Sequence, residues 1–495
     1  TVHRTHFKNR DMSPMLLADA PGVQNAPLPT GQGARSLYFS LYADPAAQPE
    51  VATSFIDEQI ARARELPVDL PSNINDLQAW IEERTEIVGQ EYRDYLAARK
   101  NGAPRRYFGT RAHALYFIKG VAPTKLVDGA WLYGLVRQWD DVAFHPLIKT
   151  YLEELGDGLP DKNHVTLYRK LLATHGCDSW DGLDDDHFLQ GALQLALGHH
   201  AEHYLPEIIG YNLGYEQLPL HLLITSYELN ELGIDPYYFT LHVTVDNAAS
   251  GHARKAVQSV HDLMPRVGDR DAFWQRVVNG YRLNELGAST TSVIGEFDLQ
   301  DELVDIMAAK SVVGKNMHSD YCRVAGRSVN DWLAEPAQIP AFLAALEEAG
   351  WIKRGEQVEH SRFWRLVEGE RAEMFGVFNA YELQVLRDWI TSNPEGGQAA
   401  GPRVLTARAR QRTLDQHGLG TERGTAFPVR GLIRRHTGAD AQDTGNELRV
   451  LEQQVAASSG KQEAMALLAR LLSPEVHHTT VGLMATRMYT QLFDA

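Results

Sequence analysis

Apolar positions recur every three or four residues along most of the chain, and strand-like alternation is nearly absent. Between Tyr107 and about Leu333 the periodic stretches are separated by Gly or Pro. They predict helices over 107–120, 123–139, 143–155, 161–175, 185–215, 218–232, 236–264, 270–286 and 300–317. Upstream, Leu77, Trp80, Ile81, Ile87, Val88, Tyr92, Tyr95 and Leu96 form one apolar stripe, which starts after Pro71-Ser72-Asn73 and stops near Asn101-Gly102. Long helices with short connections make a helical bundle the expected architecture of residues 107–333. Residues 1–36, rich in Pro, Gly and Ala, carry no period and read as an extended arm, and 37–106 read as a helical packing or dimerisation segment. In residues 334–392, helices over 338–349 and 380–391 flank a stretch with room for two short strands, a small α+β module. Residues 393–495 read as a linker followed by a C-terminal extension, with a helix over about 445–472 and the apolar ending VGLMATRMYTQLF.

Composition narrows the class. The chain has 495 residues, a formal net charge of −16 and ordinary apolar content, so a folded core is expected and a general nucleic-acid-binding surface is not. Cys177 and Cys322 stand far apart and outside any CxxC pattern, which argues against a disulfide framework and a cysteine zinc site. No apolar run reaches the ~20 residues a membrane span needs, and the first residues lack a signal-peptide apolar region. A cytoplasmic protein without membrane or nucleic-acid partners is the expectation.

Candidate chemistry concentrates between 154 and 252. On a helix, His242 and Asp246 are about 40° apart and project side by side, so an imidazole and a carboxylate can share an ion. His252, six residues beyond Asp246, sits about 240° round and joins them only if 247–251 contain an unwound turn. Imidazole nitrogen with carboxylate oxygen and no thiolate suits non-haem iron or manganese, with zinc open as well. Glu154 and His164 are too far apart for one helical face, but the Gly156-x-Gly158-x-Pro160 run should end one helix and Asp161 or Asn163 cap the next, so that the two would face each other across the break. Spacing alone favours the plainer reading, a solvated helix end with a surface Glu and His. Glu207 and Glu216 are about 180° apart on their helix, so only one of them can face such an ion. His199, His200, His477 and His478 read as structural or surface residues.

The order Glu154-x9-His164, then a Glu in PEIIGYNLGYE, then LHVTVDNAASGH resembles the haem-oxygenase-like di-iron oxidases and oxygenases, often labelled iron-containing redox enzymes. MFGVFNAYELQVLRDWI and GLMATRMY look like the longer members of that family. The resemblance implies a haem-oxygenase-like helical fold without haem, two Fe(II) ions, O2 as co-substrate and an external electron donor. It carries the metal-ligand role onto Glu154, His164, Glu216 (with Glu207 as fallback), His242 and Asp246, and onto His252 despite a gap of five residues where the family has two. A further upstream carboxylate falls on Asp128. The x9 spacing is most similar to that of amino-acid N-oxygenases, which implies oxidation of a lysine-like amine to a hydroxylamine or nitro product. Oxidative C–C cleavage of an amino acid or fatty acid is the second outcome the family offers.

Two readings from other classes compete. A nucleic-acid or regulatory protein would use a winged-helix-like 334–392 and the Arg-rich stretch 403–435, although no aromatic residues interleave with those arginines. A non-catalytic metal-binding helical protein would use the same ligands without turnover. A homodimer through residues 37–100 is the oligomer that the amphipathic segment suggests.

Overall fold

In a computed structural model the described residues are 33–46, 48–245, 251–393 and 438–495, and they form an almost wholly helical protein. Among them the only strands are Arg323–Val324 and Arg327–Ser328, an antiparallel pair turned by Ala325 and Gly326, both at positive φ. The expected arm over 1–36 falls almost entirely outside the described residues, as does the Arg-rich stretch.

The helices follow the apolar period, and their breaks follow local chemistry. Asn73 caps the 3-10 turn Ile74–Asp76 that leads into the helix Leu77–Lys100, and Thr110 caps Arg111–Gly120. The single helix expected over 123–139 is instead a short turn of helix, Ala122–Lys125, and a 3-10 run, Ala130–Gln138. They are separated at Gly129, whose φ is 81°. The expected 185–215 helix divides at His200 into Asp185–His199 and Ala201–Tyr215. That of 236–264 is found as Tyr237–Val245 and His252–Leu263. The α+β module expected at 334–392 is helical: where strands had room, the chain makes a 3-10 turn, Val358–His360, and a short helix, Arg362–Val367. Phe363, Trp364 and Val367 turn their apolar face inward there with helical rather than alternating spacing.

Two hydrophobic cores hold the molecule. The first joins helices from both ends of the chain, Leu37, Ile56, Leu468 and Tyr489, to Trp131, Ile148, Ile208 and Val277. The second joins Phe117, Tyr168, Tyr238 and Phe239 to Phe342, Leu386 and Trp389. Polar residues buried between aromatic groups of the two cores form the site described next. The helix Leu77–Lys100, whose stripe suggested packing or dimerisation, buries Leu77, Ile81 and Tyr95 and leaves Ile87 exposed. Its turn at Ile81, Thr85 and Val88 forms one wall of a cavity that reaches this site.

Candidate metal centre

Glu154 is the last residue of the helix His145–Glu154, and His164 is the first of the helix His164–His175. Between them Gly156, Asp157 and Gly158 all have positive φ and fold the chain back on itself. Gly156 is required there, because a Cβ would lie 2.3 Å from the Lys162 carbonyl carbon. Asn163 caps the second helix through Thr166 N and donates from Nδ2 to Leu155 O. The break therefore brings Glu154 to His164 as the spacing suggested. Opposite them, the left-handed turn at Gly129 presents Asp128; a Cβ on Gly129 would lie 3.1 Å from that of Glu154.

Two groups of side chains meet at this point. Asp128, Glu154, His164 and His242 form one, and Glu154, Glu216 and His252 the other. In each, the ligand-capable atoms lie within 4.8 Å of one another, and every member is buried. Glu154 belongs to both. Its Oε2 lies 2.5 Å from His164 Nδ1, and its Oε1 lies 3.5 Å from His252 Nδ1. Asp128 Oδ2 is 3.4 Å from His164 Nδ1 and 3.3 Å from His242 Nε2. Glu216 Oε2 is 2.9 Å from His252 Nδ1.

The imidazoles are oriented by their outer nitrogens. His242 Nδ1 lies 2.9 Å from the Tyr238 carbonyl, which can only accept, so it carries the proton and turns Nε2 toward Asp128. His252 Nε2 lies 2.5 Å from Glu153 Oε2, which likewise holds the proton there and turns Nδ1 inward. In both rings the inner nitrogen faces carboxylate oxygens. Lone pairs set against anions at these distances need a proton or a cation between them.

The charge state follows from this crowding. Burial alone would lower the His164 imidazole, but the Glu154 and Asp128 carboxylates outweigh it and raise it to about 10. Burial works against the Asp128 charge, yet the neighbouring Lys125, His164 and His242 hold its carboxyl well below the usual range. Tyr215 and Tyr238 also donate to it, at 2.9 and 2.7 Å. Glu153, opposed by burial but bonded by His252 and by Lys255 at 2.6 Å, is brought down to about 2.

The residues fit a metal. Glu154 Oε2, His164 Nδ1 and Glu216 Oε1 are buried, and none has a partner in hydrogen-bond geometry among the described residues, although the first two approach to 2.5 Å; such atoms in folded proteins are nearly always paired. An ion would satisfy all three. The donors are carboxylate oxygen and imidazole nitrogen only, the set that suits iron or manganese.

Most of the residues singled out in the sequence meet here: Glu154, His164, Glu216, His242, His252 and Asp128. Asp246 and residues 247–250, where an unwound turn is expected, lie outside the described residues. Glu207, the alternative to Glu216, is elsewhere, its carboxylate held by Arg276 Nε and Nη2 at 2.7 and 2.8 Å. His477 and His478 are structural: His477 Nδ1 receives Asn163 Nδ2 at 3.0 Å, behind the helix break. Sequence reasoning passed over Glu153, Tyr215, Tyr238 and Lys125. Only Glu153 left a trace there, as the first of two adjacent acids at a helix end. Glu153→Gln should weaken iron binding beside His252 by about 10- to 100-fold and leave the Asp128 side unchanged, read from an anaerobic ferrous titration.

A cavity of about 360 Å³ opens from this cluster, with His242, Tyr238, Tyr215 and Lys125 in its wall. Phe117, Val121 and Phe239 make its buried apolar side, and Thr85, Glu285 and Ser289 are exposed at its rim. Among the described residues no helix is long and apolar enough to cross a membrane.

Residues 115–285 match the family described as iron-containing redox enzyme, within the haem-oxygenase-like group. The match contains every residue of both clusters. It supports iron-dependent redox chemistry in this span and agrees with the helical fold. Neither a curated protein nor a solved structure matches the chain.

Proposed function

We propose, from the match of residues 115–285 and the doubled cluster, that the protein is a non-haem di-iron oxygenase acting on a small amino-acid-like metabolite. Asp128, Glu154, His164 and His242 would hold one iron, and Glu154, Glu216 and His252 the other. The observation that carries the reading is Glu154, whose two oxygens face different imidazoles. Ferrous ions bound by these residues would supply electrons and open positions for activating dioxygen.

The chain's own residues set the conditions. Tyr238 and Glu153 fix the imidazole tautomers, so His242 and His252 are ready to bind without reorganising. Lys125, His164 and His242 keep Asp128 ionised in a buried position, where Tyr215 and Tyr238 donate hydrogen bonds to it. Phe117 and Phe239 exclude water from the inner cavity, which protects a reactive site from side reactions. The first-choice reaction is N-oxygenation of a lysine-like amine. One oxygen atom enters the N–H bond to give the hydroxylamine, and the other leaves as water with two protons and two electrons from an external donor. The apolar wall favours a second reading, oxidative cleavage of a C–C bond in an alkyl-chain acid.

The test is O2 uptake by the iron-loaded protein with a panel of amino acids and fatty acids, with products identified by mass. Uptake that yields a hydroxylamine or nitro product supports N-oxygenation. Loss of CO2 or a shortened chain supports cleavage. Iron bound with no oxygen consumed would make this a metal-binding protein without turnover.

A further inference from the structure

One charged group in the cavity wall is not itself a candidate metal ligand. Lys125 ends the short helix Ala122–Lys125 and is half-buried. Its Nζ donates to Tyr215 OH at 3.1 Å and lies over the Tyr215 and Tyr238 rings, 5.3 and 6.0 Å from their centroids. Among the described residues no carboxylate lies within ion-pairing distance of it, although an ammonium has three protons to donate. Tyr215 OH in turn donates to Asp128 at 2.9 Å, so these two links place Nζ no more than about 6 Å from Asp128 Oδ1.

The other charged groups of the cavity are differently placed. Arg84 is engaged with Asp69, and Glu285 is exposed at the rim. His221, also in the wall, is pushed down to about 4 by burial and by Lys125, so it stays neutral. The fixed positive charge at the inner end is therefore Lys125. When Asp128 is engaged by a cation, the nearest negative charge to this ammonium is no longer available to balance it.

We infer that Lys125 is the anchor for an anionic group of the substrate, a carboxylate, which it holds at the inner end of the cavity beside the metal ligands. The chain of the substrate then runs along Phe117, Val121 and Phe239 toward the rim. The inference deepens the second outcome of the oxygenase reading, cleavage of an alkyl-chain acid, because a carboxylate held beside the metal ligands sets its own neighbouring carbons nearest the metal; it rests on that reading only for the chemistry that follows binding. Ligands of one skeleton with and without the charge separate electrostatic anchoring from burial of the alkyl chain.

The experiment is isothermal titration of the iron-loaded full chain under nitrogen with straight-chain acids from butanoate to decanoate and with the matching amides. At least one acid should bind tenfold or more tightly than its amide. Lys125→Gln should remove that preference while leaving amide binding unchanged, and Lys125→Arg should keep it; Lys125→Met serves if the Gln variant does not fold. Equal binding of acid and amide, a preference that survives Lys125→Gln, or no binding by any acid would overturn the inference. Iron content is measured in the same samples. A Lys125-dependent preference in a wild-type protein that holds no iron would sink the metal reading and leave this one standing.

Discussion

Glu154→Gln is expected to empty both metal positions and to lower oxygen-dependent turnover by at least about a thousandfold, the effect of losing several kcal/mol of transition-state stabilisation. Glu154 is the one member common to both clusters, with an oxygen 2.5 Å from His164 and the other 3.5 Å from His252. A glutamine of the same shape offers one acceptor and places an amide donor where the second oxygen stood. It therefore cannot serve two cations at once. Glu216→Gln and His242→Ala each touch a single cluster and should each leave one iron per chain. Metal analysis after anaerobic loading and desalting separates the three variants. Retention of both irons by Glu154→Gln would show that the carboxylate is not shared.

Asp128→Asn should destabilise the metal-free protein by about 3 kcal/mol, in the range for breaking a buried charge network. The carboxylate accepts hydrogen bonds from Tyr215 and Tyr238, and it lies beside His164 and His242 with virtually no solvent exposure. Asparagine keeps the shape but sets an amide donor against those donors. It also removes the negative charge that faces the His164 imidazole and Lys125. Denaturant unfolding of the metal-free protein measures the loss, and iron loading of the same variant should fall to the Glu216 and His252 side alone. An unaltered midpoint would mean that the network around Asp128 contributes nothing to folding.

The helical character and the approach of Glu154 to His164 were legible because their signals are local. Apolar spacing sets the helices, and Gly156, Gly158 and Asn163 set the break. Helical angles alone also required that only one of Glu207 and Glu216 face the site. The angles did not say which one; the resemblance put Glu216 first, and Glu207 is taken up by Arg276, more than sixty residues further on. Asp128 is harder still to read. Its partners Tyr238 and His242 lie 110 and 114 residues away, and its orientation depends on a left-handed turn at Gly129. Lys125 leaves no pattern, because a single lysine at a helix end reads as solvated surface until the cavity beside it is seen. In 351–378 apolar and aromatic residues suggested strands, but tertiary packing of Phe363 and Trp364 selects a short helix. The stripe on Leu77–Lys100 was visible, while its service as a cavity wall depends on where the helix lies.

The central claim is that one shared glutamate joins two metal positions, and the number of iron ions held by the wild-type chain tests it most directly. After anaerobic reconstitution with ferrous iron and removal of the excess, two irons per chain are expected. None, or two that persist in Glu154→Gln, would contradict it.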